Sequence, residues 1–383
     1  MTTLTDQQLL ARLVAFDSVS HKPARPIIDF CADYLASAGC RIWRQDYENG
    51  AKANLLAIKG SGNAGTGLLM AGHVDVVPVG EPDWLSDPFT LTERGGRLYG
   101  RGTTDMKGFD ALAINLLARA DEPAHRHPLA VLLTSDEEVG TVGAQHFARG
   151  WKGELPLPQD CLVGEPTEMK IVRMHKGHLR IRLRATGKPA HGAYPHLGVN
   201  AIEIMAAATC EIARLGIEFR ELRTDVSRYM PEAPSPVLNI GLIRGGTATN
   251  VVAETCELDF GMRLMPGHTT ETGVGWVRGA LERLPAEMRG RIELTVVNDS
   301  PPMLCDESAP PNQVLMDVVG QRESIGVSYA TDASALQAIG LRCVVFGPGS
   351  ISVAHKANES IEIAEWQRGR EVVERVIQKM CIE

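Results

Sequence analysis

Several features that would place a protein in a membrane, outside the cell or on nucleic acid are missing from this sequence. Among its 383 residues, no apolar run approaches the ~18 residues needed to cross a bilayer. The polar start MTTLTDQQLLARL lacks the basic, apolar and small-residue regions of a signal peptide. The formal net charge is −8, whereas a surface that binds phosphates is basic. We therefore expect a cytoplasmic protein that binds neither a membrane nor nucleic acid.

A paired arrangement of cysteines is also missing. The eight cysteines are scattered and include no CxxC pair: Cys31, Cys40, Cys161, Cys210, Cys256, Cys305, Cys343 and Cys381. Without a signal peptide we expect them to be reduced and mostly buried. This disfavours a zinc site made of thiolates, so a metal would have to be bound by histidines and carboxylates. The sequence also has no GxSxG elbow, which argues against a serine hydrolase.

The apolar pattern of the first 175 residues is typical of an α/β domain. Nearly continuous apolar runs, as in strands buried on both faces, lie at 54–58, 68–71, 129–134 and 161–163. Helical stretches are predicted after a capping box at Thr5 and Gln8, after Pro26, and at 107–120 and 143–150. Another buried run follows at 343–346. We predict a mostly parallel sheet with helices on both faces, formed by 1–175 and 300–383.

Between these parts, residues 176–299 follow a different pattern. Apolar and polar residues alternate at 179–183, 256–262 and 292–296, as in antiparallel strands with one solvated face. Two helical stretches, 200–215 and 270–284, lie among them. We therefore predict an inserted α+β domain that consists of an antiparallel sheet and two helices.

Five segments, most of which follow strand-like runs, contain residues that bind metals. They are LLMAGHVDVVP with His73 and Asp75, LYGRGTTDMKG with Asp105, VLLTSDEEVGT with Asp136, Glu137 and Glu138, CLVGEPTE with Glu165, and FGPGSISVAHKANE with His355. A single histidine or acidic turn is usually structural or solvated. Five such segments in one domain favour a site, because ligands bind at strand ends in open α/β sheets. Imidazole and carboxylate together suit Zn²⁺, and Co²⁺ or Mn²⁺ can substitute.

These segments resemble the dinuclear-zinc aminoacylase and carboxypeptidase family. The resemblance runs from about Leu9 to the C-terminus and is densest in AGHVDVVP, DPFTLTERGGRLYGRGTTDMKG, TSDEEVG, VGEPT, MHKGH, GGTATN and FGPGSISVAH. It implies a zinc-peptidase-like catalytic domain and an inserted lid and dimerisation domain. It also implies hydrolysis of the amide bond of an N-acyl amino acid, and N-acetyl-L-ornithine is the substrate we expect.

The resemblance further implies which residues bind two Zn²⁺ ions. His73 and Glu165 would bind one ion. His355 and Glu138 would bind the other, and Asp105 would bridge the two.

Three further residues receive catalytic roles from the same resemblance. Asp75 would accept the second ring N–H of His73 and fix its tautomer. Glu137 would be the general base that takes a proton from water and passes it to the leaving amine. His191 would donate to the oxyanion from the second subunit of a homodimer, although a turn histidine is the simpler interpretation. The Asp105–Met106 peptide bond is expected to be cis.

Five residues are predicted to contact the substrate. Arg263, on the polar side of its strand, could bind the α-carboxylate bidentately, and a surface salt bridge is the alternative. The resemblance adds Asn250 and the backbone of Gly347 and Gly349. Asp332, in YATDASAL, is a possible partner of a cationic side-chain amine.

Other functions stay open from the sequence. The chain could instead remove the succinyl group of succinyl-diaminopimelate, or the acyl group of another amino acid such as acetylcitrulline. A metal-binding relative without catalysis is the alternative outside enzymes. The presence of Glu137 argues against it, because a protein that only binds metal does not need a base.

Overall fold

The chain folds into two units. The structure, a computed structural model, describes residues 3–60, 65–121 and 124–383. The first unit comprises Met1–Met174, Leu304–Ile325 and Thr331–Glu383, and the second, here called the inserted unit, comprises His175–Met303 and Gly326–Ala330.

The first unit begins with helices and strands whose interior faces are apolar. The first helix has Thr5 as N-cap in a capping box with Gln8, and it buries Leu9, Leu10 and Leu13. In chain order the elements are α1 (Asp6–Val14), α2 (Arg25–Ser37), β1 (Arg41–Tyr47), β2 (Lys52–Lys59), β3 (Leu68–His73), β4 (Thr92–Arg94), β5 (Arg97–Tyr99), α3 (Lys107–Arg119), β6 (Leu129–Thr134), α4 (Val142–Gly150), β7 (Asp160–Val163) and β8 (Val172–His175).

The inserted unit is a four-stranded antiparallel sheet whose buried face packs against two long helices. Its elements are β9 (Gly177–Thr186), α5 (Ala201–Glu218), β10 (Val237–Gly245), β11 (Thr255–Leu264), α6 (Thr270–Leu281), α7 (Ala286–Arg289) and β12 (Ile292–Ser300). The strand order is β10-β11-β9-β12. Leu179, Ile181 and Leu183 are buried and the arginines between them are exposed, so the alternation in the sequence does mark a sheet with one solvated face.

The chain then returns to the first unit and completes its central sheet. The remaining elements are β13 (Met303–Leu304), α8 (Pro310–Val319), β14 (Ile325–Val327), α9 (Ala333–Gln337), β15 (Arg342–Val345), β16 (Ser360–Glu362) and α10 (Ile363–Ile377). The central sheet has the order β1-β2-β6-β3-β7-β15-β8-β13, with β14 beside β8. Its middle strands β6, β3, β7 and β15 are parallel. A mostly parallel sheet and a separate antiparallel sheet confirm the predicted fold class.

Helix α3 lies unusually close to the middle of the central sheet. A Cβ atom on Gly72 of β3 would come within 2.1 Å of Asp110 Oδ1 on this helix, and one on Gly164 would come within 1.9 Å of the Phe109 ring. Glycine is therefore required at both positions for the helix to approach the sheet. Each glycine directly precedes a predicted metal ligand, so the close packing of α3 on the sheet also restricts the position of those ligands.

Several elements are not evident from the sequence. Strands β1 and β10 were not predicted, because each lies at a sheet edge and keeps many side chains in solvent, which weakens the period-2 signal. A small sheet of β16, β5 and β4 was also not predicted, since its strands have three residues each. All eight cysteines are free and all but Cys210 are buried. Among the described residues, no helix has the length and apolar character to span a membrane.

Candidate metal centre

The predicted ligands meet at the carboxyl edge of the parallel strands. His73 is the last residue of β3, Glu165 lies two residues beyond β7, and Glu138 lies in the loop after β6. His355 follows β15 in a longer loop, and Asp105 lies two residues before α3. Because β6, β3, β7 and β15 run in the same direction, their ends meet at one edge of the sheet.

The carboxylate of Asp105 lies between two histidines. Its Oδ1 is 3.1 Å from His73 Nε2, and its Oδ2 is 3.1 Å from His355 Nε2. Glu165 Oε1 is 4.0 Å from His73 Nε2, and Glu138 Oε1 is 3.1 Å from His355 Nε2. Two groups of three donors result, each with its donor atoms within 4.8 Å of one another and with Asp105 in both. This is the donor arrangement expected of two cations that share one carboxylate.

The electrostatics of the site also fit divalent cations. Burial, followed by the negative charge of nearby carboxylates, raises the pKa of Glu165 well above its usual range and that of Glu138 to about 7. Hydrogen bonds to Asp105 and Glu138 raise the pKa of His355 to about 10. These shifts all reflect negative charge gathered around the donors, and cations between the donors would compensate it.

Asp75 contacts more of the site than the sequence indicates. The nearest acceptor for His73 Nδ1 is the backbone carbonyl of Asp75 at 3.0 Å, and the carboxylate is 3.6 Å away. The carboxylate instead accepts hydrogen bonds from Ser20 Oγ at 2.8 Å and from the amides of Glu137 at 3.0 Å and Glu138 at 3.3 Å. Burial alone would raise the pKa of Asp75, but these bonds and His73 outweigh it and lower the pKa. Asp75 therefore anchors the loop that contains Glu137.

Glu359 supports Asp105 and was not identified from the sequence. Its Oε1 accepts the backbone amides of Thr104 at 3.0 Å and Asp105 at 3.1 Å, and its Oε2 accepts Arg101 Nη1 at 2.9 Å. Glu359 and Arg101 are each 1% exposed. The hint in the sequence is that both charged residues lie within ligand-bearing segments, LYGRGTTDMKG and FGPGSISVAHKANE.

Unusual backbone conformations occur at and beside the predicted ligands. The peptide bond between Asp105 and Met106 is cis, as expected. Asp136 and His355 have φ values of +63° and +59°, in the left-handed region that aspartate and histidine adopt more readily than most residues.

In the inserted unit, His191 and Asn250 lie in neighbouring segments. His191 forms an isolated bridge with Val251, and the amide of Gly192 donates to the Asn250 carbonyl at 2.7 Å. The amide of Ala193 donates to His191 Nδ1 at 3.0 Å. A neutral imidazole that accepts at Nδ1 has its proton on Nε2, so the exposed side of the ring is a hydrogen-bond donor.

Arg263 lies elsewhere in the inserted unit, on the solvated face of the sheet. It is opposite His178 on β9, and both line a hollow of about 300 Å³ together with Arg180. Gly261 lies in the floor of the hollow. Burial, and then the charges of Arg263 and Arg180, lower the pKa of His178 to about 4. Two guanidinium groups and the carboxylate of Asp259 therefore line the same hollow.

The backbone amides of Gly347 and Gly349 are engaged within the first unit. The Gly347 amide donates to Thr167 Oγ1 at 3.2 Å, and the Gly349 amide donates to Glu365 Oε1 at 3.0 Å. Each amide therefore already has a protein acceptor, which disfavours a substrate contact through these two N–H groups, and a contact through this backbone stays a prediction.

Burial likewise disfavours the predicted contact of Asp332 with a substrate amine. The residue is 2% exposed, and its Oδ2 accepts a hydrogen bond from Thr134 Oγ1 at 2.5 Å. Burial raises the pKa of Asp332 to about 6, so the carboxyl does not offer an open anionic surface. Its charge instead acts on Glu137 and Glu165, which places it beside the donor cluster.

The fold and the donor set together define a metal-dependent hydrolase, and comparison with known proteins identifies its family. Residues 69–379 match the model of peptidase family M20/M25/M40. The chain belongs to this family.

Individual relatives agree with this assignment. The chain is 36% identical to an acetylornithine deacetylase from Proteus mirabilis (strain HI4320), over 98% of this chain and 96% of that protein. Its fold is similar to that of an M20 family metallo-carboxypeptidase from Sulfolobus solfataricus, with a TM-score of 0.77, 16% identity, and coverage of 98% and 99% of the two chains. A dinuclear metal-binding M20 peptidase from Bacillus subtilis gives a TM-score of 0.68 at 12% identity, with coverage of 98% and 97%.

We expect Glu359→Ala to weaken metal binding, because the backbone of Asp105 would lose its buried acceptor. Loss of a group that orients a ligand typically reduces metal affinity or activity ~10- to 100-fold. The measurement is a competition titration of the apoprotein against a chromophoric chelator. Asp160→Ala is a matched control, since Asp160 is a buried carboxylate bonded to Arg342 at 2.6 and 2.9 Å at the start of β7. Equal affinities of the two variants would contradict this role of Glu359.

Proposed function

We propose that this protein removes the acetyl group of N-acetyl-L-ornithine and releases L-ornithine and acetate, a reaction of arginine biosynthesis. The observation that carries the chemistry is the Asp105 carboxylate between two histidine–carboxylate groups. The 36% identity to an acetylornithine deacetylase, over nearly the whole of both chains, supports the substrate. The proposal includes a cytoplasmic location.

The proposed cofactors are two Zn²⁺ ions. His73 and Glu165 would bind one ion, His355 and Glu138 the other, and Asp105 both. Imidazole nitrogens and carboxylate oxygens suit Zn²⁺, and Co²⁺ or Mn²⁺ could replace it. When bound, such ions would polarise a carbonyl group and lower the pKa of water, so that water can lose a proton near neutral pH and attack the carbonyl carbon.

Glu137 is the proposed general base. It belongs to neither donor group, yet its backbone amide is fixed by Asp75 Oδ1 beside the ligand Glu138. Its carboxylate would take a proton from the attacking water and deliver it to the nitrogen of the leaving amine. Burial raises the pKa of Glu137 well above its usual range, and a carboxylate with a raised pKa is a stronger base.

Two residues of the inserted unit are proposed to act on the substrate. His191 has its Nε2 proton available, which suits donation to the oxyanion that develops on the amide carbonyl. Arg263 is proposed to bind the α-carboxylate, since it lines a hollow on the solvated face of the sheet and a guanidinium matches a carboxylate bidentately. Asn250, in the segment beside His191, is proposed to add a polar contact.

A homodimer formed through the inserted unit is part of the proposal. Three apolar side chains near His191 are exposed: Tyr194 by 57%, Leu197 by 58% and Val251 by 41%. Apolar side chains grouped on a surface are typical of protein interfaces, and a second copy of the chain would cover them.

A substrate with a second anionic group is the alternative, as in succinyl-diaminopimelate. Arg180 lines the same hollow as Arg263, so two guanidinium groups lie on one surface. An acyl chain that ends in a carboxylate would use the second group, whereas an acetyl group would not.

A substrate panel tests the proposed activity. N-acetylornithine, N-acetylcitrulline, N-acetylmethionine and succinyl-diaminopimelate would be assayed for amine release, before and after chelation and with Zn²⁺ restored. We expect a kcat/KM for N-acetylornithine at least about tenfold above the others, which is about 1.4 kcal/mol of discrimination. Metal-dependent turnover that favours the succinyl substrate would instead support the alternative.

Glu137→Gln should reduce kcat by about 10²- to 10⁴-fold, with KM and metal affinity nearly unchanged, because glutamine has nearly the same shape as glutamate but cannot carry the proton.

The role of His191 can be tested by combining a variant at His191 with a variant at Glu137. His191→Ala and Glu137→Ala chains are each expected to be inactive alone. A mixed dimer should regain activity, since one site would then have both residues, and no regain would contradict action between subunits.

Arg263→Ala should lower kcat/KM by ~10- to 100-fold, the effect of losing a charge-assisted pair of hydrogen bonds. Arg184→Ala is the control, because Arg184 lies on the neighbouring strand β9, is 53% exposed and contacts Glu257 at 3.6 Å. Unchanged kinetics of the Arg263 variant would remove it from the proposed contacts.

A further inference from the structure

Lys52 is a buried lysine whose ammonium group lies at the meeting point of two chain segments. It is the first residue of β2 and is 3% exposed. Its Nζ contacts Asp136 Oδ1 at 2.5 Å and also donates to the backbone carbonyl of Ser20. A buried ammonium costs several kcal/mol unless it is paired, so the geometry of both partners matters to the fold.

The first contact fixes the residue that precedes Glu137. Asp136 has a left-handed backbone, with φ of +63°. Its carboxylate accepts Lys52 on one oxygen and the Tyr47 hydroxyl, at 3.1 Å, on the other. A non-glycine residue keeps this conformation only where its surroundings hold it, and here two side chains hold it.

The second contact leads to the other support of the same loop. Ser20, whose carbonyl accepts Lys52, donates its Oγ to Asp75 Oδ2 at 2.8 Å. The Asp75 carboxylate in turn accepts the amides of Glu137 and Glu138. Lys52 therefore joins the support at Asp136 to the support at Asp75.

We propose that Lys52 is a positioning residue that holds the 136–138 loop in the conformation in which Glu137 and Glu138 face the metal site. The inference rests on the proposed function, in which Glu137 is the base and Glu138 a metal ligand. Lys52 does not itself belong to either donor group. Its effect passes through the Asp136 side chain and through Ser20.

Lys52→Met tests this role in the zinc-loaded enzyme. We expect kcat to fall tenfold or more with KM within about twofold, and the affinity of the apoprotein for its second Zn²⁺ to fall about tenfold. Lys59→Met is the matched control. Lys59 is at the other end of β2, is also buried, and donates to the carbonyls of Ala118 at 2.8 Å and Ala120 at 3.2 Å. A purely structural role would lower the melting temperature of both variants and leave kcat of the folded enzyme unchanged.

The two readouts separate this inference from the proposed function. If the wild type hydrolyses no member of the panel, the proposed substrate fails, but the zinc affinities of the two variants still decide the role of Lys52. A larger loss in Lys52→Met than in Lys59→Met, in kcat or in zinc affinity, supports it, and equal values in both overturn it. If Lys52→Met does not fold, Lys52→Met combined with Asp136→Asn leaves no unpaired buried charge and gives the same comparison.

Discussion

The sharing of one carboxylate by two imidazoles is the constraint on which the rest of the site depends. His73 and His355 each lie 3.1 Å from a different oxygen of Asp105, so a displacement of Asp105 would change both donor groups at once. The fold fixes this residue from several directions. Glu359 holds its backbone amide, and α3 begins two residues later and packs tightly on the sheet because Gly72 and Gly164 have no side chain. The two glycines next to the ligands thus help to fix the position of Asp105, because they allow α3 to approach the sheet.

A second consequence is the need to balance buried charge. The donor cluster concentrates carboxylates in a region where burial alone raises the pKa of Glu137 and Glu165. Two cationic side chains pair with carboxylates outside the donor cluster: Lys52 with Asp136 and Arg101 with Glu359. These pairs do not neutralise the donors themselves, which keeps the donors available for metal ions. Their contribution is to hold acidic loops in place without leaving a charge unpaired away from water.

The five predicted ligands do lie together in the structure. Their grouping was predictable from the sequence because most of them follow apolar strands whose parallel ends meet at one edge of the sheet, and because the resemblance named the set. Contacts made across the fold were not predictable in this way. Glu359 reaches the amide of Asp105 over 254 positions, and nothing local to either residue indicates the bond. Gly349 looked like an open backbone donor, but its amide is used by Glu365 of a helix that follows the small sheet. Asp332 was predicted to pair with a substrate amine, but its carboxylate accepts a hydrogen bond from Thr134, 198 positions away in the chain.

The predicted metal ligands and the residues proposed to bind substrate are unevenly distributed between the two units. All residues with predicted metal or base roles lie in the first unit, where glycine contacts, buried ion pairs and loop anchors leave little room for substitution. Arg263, Arg180 and His178 lie on the solvated face of a sheet whose other face forms the core, so their side chains can change without disturbing packing. The substrate contact proposed for Arg263 could therefore change in evolution without changing the proposed metal donors. Structures named as peptidases, at under 25% identity, likewise show a shared fold and do not indicate which substrate this chain binds.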